Sequence, residues 1–419
     1  MSLKLKIAGN TLAQLVSKGI ASATTFFITL LIAREYGAAG YGDFTKIFSY
    51  IVLFYLIGDF GMNAVFLREE AHRKLHIASL VAIRIVSGIV LIFISLAITS
   101  FLPFSPETND GFSPAVKLGI IVLSPTILTM SLTTSFNALF QKYLRYDKAT
   151  IASALGSVTI LSLVVLFSRA QASIVWLVSS YVAGGIITIC AAYLLSRALT
   201  IWKHIDWVEQ IKIGKSLLFL SLPLGLTLVF SVIHFRADIF ILTLYRTTEE
   251  VGVYGLASKF FEFALTVPTF FMNAVYPVLL GVIADHQKSK RLVTQSIYIL
   301  GALSLIGLTV GMIGAPLLEL VKDEFVDSIV PFRILIASLP LFFLSSVFMW
   351  YLIAQNKTWQ LVWIYGVGMV CNIVLNIIFI PSYGVPAAAV TTAVSETILI
   401  TLLMYKALPL LRRKEVAQQ

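Results

Sequence analysis

Twelve apolar runs of membrane-spanning length divide this chain, and no other feature limits its fold so strongly. They fall near residues 9–33, 44–67, 76–102, 115–140, 149–168, 172–196, 214–245, 252–283, 292–316, 328–353, 359–380 and 386–408. Crossing a hydrocarbon core takes about 20 mostly apolar residues of helix, and a lipid-embedded backbone must satisfy its own hydrogen bonds. Of the 419 residues, 58% are hydrophobic and only 12% charged, about half the charged share of a soluble domain. The expected fold is an all-α polytopic membrane protein of twelve transmembrane helices. No stretch remains for a soluble catalytic domain. Lys4 and Lys6 precede the first run, which lacks a small-residue cleavage site and is read as a retained helix. The longest loop, 197–213, carries Trp202 and Trp207 among charges and is expected to lie on the membrane surface as an interfacial helix.

The net charge of +10 would suggest nucleic acid in a soluble chain. Here its placement matters more, and no nucleic-acid partner is expected. With the N-terminus in the cytoplasm, the inside segments hold 20 Lys and Arg and the outside loops four: Arg34, Arg169, Arg246 and Lys322. The positive-inside rule then places both termini in the cytoplasm. Acids gather outside, as at Glu319, Asp323, Glu324 and Asp327. Cys190 and Cys371 sit far apart in apolar runs, which gives neither a disulfide framework nor metal-ligand spacing.

The two halves repeat. Arg34, Tyr41-Gly42 and Lys46 correspond to Arg246, Tyr254-Gly255 and Lys259, the Tyr-Gly-x-x-x-Lys core recurring at an offset of 213. Lys117, Pro125 and Gln141 likewise match Arg333, Pro340 and Gln355, and Val178-Ser179-Ser180 matches Val390-Thr391-Thr392. An even number of spans per repeat gives both repeats one orientation. The expected architecture is an N-lobe, residues 1–205 with helices 1–6, and a C-lobe, residues 206–419 with helices 7–12. A pseudo-two-fold along the membrane normal would relate the two six-helix lobes, with the substrate site between them.

Seven basic residues lie within or at the ends of the runs: Lys18, Lys46, Arg84, Lys117, Arg236, Lys259 and Arg333. Four acids join them, Asp59, Asp238, Glu262 and Glu396. A charge at a helix centre costs about 2.5–3.5 kcal/mol on insertion scales, so it faces a cavity or a partner. Lys46, Lys117 and Arg333 lie near run ends and can snorkel to headgroups. Lys259 and Glu262, three apart on one face, can neutralise each other. Lys18 shares a helix face with Asn10, Gln14, Ser22, Thr25 and Thr29, and the seventh run carries a similar stripe of Thr227, Ser231, His234 and Asp238. Two polar stripes describe a hydrated central cavity. Lys18, Lys46, Arg84, Arg236 and Lys259 are the candidate substrate ligands, with Asp59 and Glu262 as gating or charge-pairing acids. For Lys18 and Arg236 the other reading is structural pairing with Asp59, Asp238 or Glu262. More bases than acids suits an anionic headgroup such as phosphate and disfavours a cationic drug.

Arg34-x-x-Gly-x-x-Gly-Tyr-Gly, then Gly58-Asp59-x-Gly61, resembles the N-terminal signature of the polysaccharide transport family, and Val251-Gly252-x-Tyr254-x-x-Ala257 after Asp238 resembles it again. These are oligosaccharide flippases of the multidrug/oligosaccharidyl-lipid/polysaccharide flippase superfamily. The resemblance runs along essentially all of the spans. It implies a multi-pass protein of the bacterial plasma (inner) membrane that moves polyprenyl-diphosphate-linked oligosaccharide repeat units to the outer leaflet. It also implies a polysaccharide polymerase and glycosyltransferases of the same pathway as partners. In the lipid II flippase branch, cationic residues of spans 1, 2 and 8 face the cavity; Lys18, Lys46 and Lys259 would take those places, with lysine where arginine is common. That branch carries a sodium site, which Asp238, Asn372, Asn376 and Thr392 resemble, except that Asn376 stands where the related site has an acid. Na+ or H+ is the expected coupling ion. The other reading of Asn372 and Asn376 is a bond to a neighbouring helix.

The leading expectation is thus a flippase working by alternating access, with Pro223, Gly225, Pro268, Pro277 and Gly281 supplying kinks in the seventh and eighth spans. A multidrug or toxin extrusion antiporter of the same superfamily is the alternative, and needs acids to hold organic cations. A membrane polysaccharide polymerase or ligase fits less well. The five histidines are scattered, and the outside loops lack a paired His/acid site. Gly214-Lys215-Ser216 has no glycine five residues before it, so no ATPase is expected.

Overall fold

The structure, a computed structural model, describes residues 3–73, 76–199 and 206–412. The side chains of residues 3–8, 10–12, 15, 68–73 and 207 lie outside the description, and with them the expected roles of Asn10, Trp202 and Trp207. The chain separates into two compact units, Met1–Val229 and Phe230–Gln419. The division falls inside a helix.

In the first unit, α1 (Leu3–Asp59) runs through the first two apolar runs and bends at Gly37, whose φ of 67° suits glycine. It stops at Asp59 because Phe60 and Gly61 take positive φ, 44° and 67°. The Gly58-Asp59-x-Gly61 motif is therefore a helix stop, followed by α2 (Met62–Arg73). Then come α3 (Ile77–Phe101), a small antiparallel hairpin of β1 (Phe104–Ser105) and β2 (Asp110–Gly111), α4 (Pro114–Leu123) and α5 (Pro125–Lys142). The hairpin is a small departure from the all-helical expectation. After α6 (Tyr146–Arg169) and α7 (Ile174–Ser196), α8 (Trp207–Leu220) starts at Asp206, whose carboxylate accepts from the N–H groups of Val208 and Glu209. α8 packs on α3, with Gln210 Oε1 accepting from Ser79 Oγ at 2.5 Å. α9 (Leu222–Tyr245) carries the chain into the second unit.

The second unit continues with α10 (Thr248–Ala264), started by a capping box in which Thr247 and Glu250 satisfy each other's backbone N–H groups. α11 (Thr266–Val282), α12 (His286–Gly314), two 3-10 turns, α13 (Ile329–Ala337) and α14 (Leu339–Ala354) follow. α15 (Thr358–Arg412) bends at Gly384, φ 62°. Arg246 braces that bend, donating to Ile380 O (3.1 Å) and Pro381 O (2.9 Å).

Several apolar runs are broken helices, and the breaks have one cause. The junctions at Ser124, Ser221, Leu265 and Ser338 each precede a proline by one to three residues: Pro125, Pro223, Pro268 and Pro340. Proline removes a helical hydrogen bond and crowds the residue before it. Pro277 sits inside α11 without ending it. Among the described residues, nine helical stretches are long and apolar enough to cross a membrane, or ten if Asp323–Ala337 and Leu339–Ala354, bent by 41°, form one span. Their outer faces need an apolar solvent: on α12, Val310 is 65% and Ile313 75% exposed. This is a multi-pass membrane protein.

Candidate functional site

α9 and the two arms of α15 lay the polar residues of the second unit along one seam. Asp238 is buried and accepts from the Tyr254 hydroxyl, from the Ile239 N–H at 2.7 Å and from Thr392 Oγ1 at 3.4 Å. Asn372 and Asn376 are wholly buried on the first arm of α15. Asn376 Nδ2 donates to Asn372 Oδ1 (2.8 Å), Asn372 Nδ2 donates to Ser395 Oγ (3.1 Å), and the Thr391 hydroxyl donates to Asn376 Oδ1. The four residues resembling a sodium site thus fall into two pairs, Asp238 with Thr392 and Asn372 with Asn376. Both amide oxygens already accept hydrogen bonds, and the Thr392 hydroxyl is turned to Asp238. With one carboxylate in the set and both amide oxygens engaged, these contacts leave few free hard oxygens for a cation. Among the described residues no cluster of three His, Cys, Asp or Glu could hold a metal.

One turn from Asp238 along α9, His234 faces Glu396, one turn from Thr392 along α15. His234 Nε2 lies 3.6 Å from Glu396 Oε2, and both side chains are buried. The two contacts form successive rungs across the same helices.

Nearer the surface of this unit, Glu262 joins two cations, Arg236 Nη2 at 2.7 Å and Lys259 Nζ at 2.9 Å. The pairing of Lys259 with Glu262 is the one their spacing allowed, and Arg236 takes its structural partner from the same carboxylate. A small cavity beside the group is lined by Arg236, Asp238, Tyr254, Ser258 and Thr392 among apolar side chains such as Phe235, Phe261 and Leu335.

In the first unit, Arg84 is fully buried between Asp59 Oδ1 (2.5 Å), Asp59 O (3.3 Å) and Ser135 Oγ (3.0 Å). The helix stop after Asp59 frees the carbonyl that this guanidinium takes. Lys46 is buried as well and donates to Gly111 O at 2.8 Å, tying α1 to the hairpin. Neither presents its charge on a surface in this conformation. Lys18 is half-buried on the first arm of α1, as are Gln14, Ser22 and Thr25 of its stripe, while Thr29 is buried. The residues that sequence reasoning left unassigned are Tyr254 as the hydroxyl on Asp238, Thr391 and Ser395 on the asparagines, and the His234–Glu396 rung. Their signals were present in the α9 stripe and the repeated Val390-Thr391-Thr392 motif, but the partners are far apart in sequence.

Solved membrane transporters share this fold. A lipid II flippase, MurJ, in an inward closed conformation is 16% identical, with a TM-score of 0.74 over 95% of this chain and 87% of its own. An inward-facing multidrug resistance MATE family transporter of the MOP superfamily is also 16% identical, with a TM-score of 0.75 over 97% and 96%. A MOP superfamily transporter from Pyrococcus furiosus, whose binding pocket is described as having reverse polarity, is 15% identical, with a TM-score of 0.70 over 98% and 96%. At these identities the likeness establishes the fold alone, one shared with helical membrane transporters. No curated protein sequence matches this chain. Residues 6–282, about two thirds of the chain, match the family described as polysaccharide biosynthesis protein. The protein belongs to the polysaccharide biosynthesis protein family, as the motif resemblance implied.

Proposed function

We propose that this protein is a flippase for polyprenyl-diphosphate-linked oligosaccharide repeat units, carrying them from the cytoplasmic to the outer leaflet of the plasma membrane by alternating access through a central cationic cavity. The observation that carries this reading is the Arg236–Glu262–Lys259 group. Two cations share one carboxylate, and the three side chains are 17%, 19% and 27% exposed for Arg236, Glu262 and Lys259. An arriving diphosphate can draw both cations from Glu262, meeting a bidentate fork and a point charge together. Family membership supports a glycan-bearing cargo. Lys18 is the matching candidate in the first unit, and both termini are placed in the cytoplasm by the loop charges.

Twelve crossings follow if α1 and α15 each cross twice. They hold 57 and 55 residues, so at about 1.5 Å per residue each far exceeds a core of about 30 Å. The antiporter alternative is disfavoured because the acids within the spans are engaged or hidden: Asp59 and Glu262 are ion-paired, and Asp238 and Glu396 are each 3% exposed. The polymerase and glycosyltransferases of the pathway remain the expected partners.

The test is binding of a short-chain polyprenyl diphosphate to the purified protein. Each charge-assisted hydrogen bond is worth about 1.5–3 kcal/mol, so Arg236→Gln and Lys259→Gln should each weaken binding about tenfold or more. Wild-type affinity in both folded variants would contradict the assignment.

A further inference from the structure

The His234–Glu396 rung is a polar contact that neither the sodium-like set nor the diphosphate group uses, and its geometry has a specific chemistry. His234 Nδ1 lies 3.2 Å from Gly368 O. A carbonyl can only accept, so Nδ1 carries the ring hydrogen and Nε2 of a neutral ring presents a lone pair. What faces Nε2 is a carboxylate oxygen at 3.6 Å, another acceptor. Among the described residues neither His234 Nε2 nor Glu396 Oε1 has a hydrogen-bond partner, and the side chains are 4% and 3% exposed. Two opposed acceptors held out of water repel each other. A proton shared between Nε2 and Oε2 converts that repulsion into a charge-assisted hydrogen bond of about 2.7–2.9 Å and leaves the pair with no net charge in a low-dielectric surrounding.

We infer that His234 and Glu396 form a proton-binding site, and that the ion coupled to transport is the proton taken up there. The inference rests on the flippase reading for the word transport, while the site itself does not. The sodium-like set lies one turn away, where Asp238 already accepts from Tyr254 and Thr392, whereas the His234–Glu396 rung sets two acceptors opposite each other and is the place in this seam where a proton is needed. The ionisable groups acting on the pair are Asp238 on α9, which senses His234, and Tyr365 on the first arm of α15, which senses Glu396. Tyr254 from α10 reaches Asp238, and the Tyr365 hydroxyl is directed to Met349 Sδ of α14 at 3.1 Å. Gly368 O on one arm of α15, Glu396 on the other and His234 on α9 are drawn together when the proton is bound, and released when it leaves. The proton comes from water at one face and returns to water at the other, with nothing else consumed. Intramembrane His and Glu pairs are suited to such relays.

Two measurements separate the site from the transport it serves. In full-length protein in lipid nanodiscs, proton uptake on acidification should be one proton greater in the wild type than in Glu396→Gln. The ring 15N signal of His234, assigned by its loss in His234→Gln, should change when Glu396 is replaced. Equal uptake and an unchanged ring signal would overturn the site. In liposomes at zero membrane potential, wild-type flipping of a polyprenyl-diphosphate oligosaccharide should respond to an imposed pH gradient, and Glu396→Gln and His234→Gln should lose that response. A sodium-gradient response in place of the pH response would overturn the coupling. Absence of any flipping by wild-type protein that still passes the titration would count against the flippase reading and leave the proton site standing.

Discussion

Removing Asp59 should strand a buried guanidinium, and its cost can be worked from the contacts. Arg84 is 0% exposed and Asp59 31%, with the ion pair at 2.5 Å. Among the described residues Arg84 Nε has no hydrogen-bond partner, and without the carboxylate only the neutral acceptors Ser135 Oγ and the backbone carbonyl of residue 59 remain. Breaking a buried pair from one side costs about 3–5 kcal/mol, close to the insertion penalty of about 2.5–3.5 kcal/mol for a bare charge at mid-membrane. At about 1.4 kcal/mol per tenfold, Asp59→Ala should lower the folded-to-unfolded ratio by more than a hundredfold. Arg84→Met combined with Asp59→Ala should recover much of the loss, because the double variant buries neither charge. The assay is reversible unfolding in mixed micelles followed by tryptophan fluorescence, read as a double-mutant cycle. The exposed pair Arg145–Asp147, 49% and 50% accessible, is the internal control, and Asp147→Asn should cost less than about 1 kcal/mol. An Asp59→Ala effect within about 0.5 kcal/mol, or a double variant no more stable than the single, would refute the reasoning.

At the bend of α15, Gly384→Ala forces a side chain onto a φ of 62° and brings its Cβ 3.3 Å from Glu250 Oε1. It should lose about 1 kcal/mol or more in thermal unfolding. Gly301→Ala, in mid-α12 with no atom within 4 Å of the new Cβ, should instead gain about 0.5–1 kcal/mol. Outside the spans, the Lys288 side-chain hydrogen bond, then the Lys288 backbone N–H, hold Asp285 below its ordinary value of 3.8. A depressed carboxylate contributes above that ordinary value and loses its contribution as pH falls through the folded value. Amide exchange at Lys288 should therefore quicken in acid beyond its intrinsic pH dependence, and Asp285→Ala should show the faster exchange at every pH. Unchanged protection in that variant would show that Asp285 does not hold the start of α12.

The spans were legible because lipid leaves apolar length as nearly the only requirement, and the proline breaks at Pro125 and Pro340 occupy matched places in the internal repeat. Their consequence was less legible, since a proline in an apolar run signals either a tolerated kink, as at Pro277, or a junction, as at Pro125. The turn between the first two spans reads as a loop in sequence, yet α1 remains helical on both sides of Gly37. Spacing alone revealed that Lys259 and Glu262 could meet, because they share one helix face. Arg84 with Asp59, Lys46 with Gly111 and His234 with Glu396 depend on tertiary contacts that no local pattern encodes. For the same reason the candidate ligands differ in character: Arg236 and Lys259 keep partly exposed charge, whereas Arg84 and Lys46 spend theirs holding helices and a hairpin.

The central claim is translocation itself, and a leaflet assay reads it directly. Purified protein in liposomes carries a fluorescent polyprenyl-diphosphate oligosaccharide in both leaflets, and a membrane-impermeant quencher reports the fraction facing outward. The expected result is protein-dependent loss of the protected fraction, abolished by the combined Arg236→Gln and Lys259→Gln variant. A protected fraction that stays constant with folded wild-type protein, across a panel of polyprenyl-diphosphate glycans, would contradict the flippase assignment.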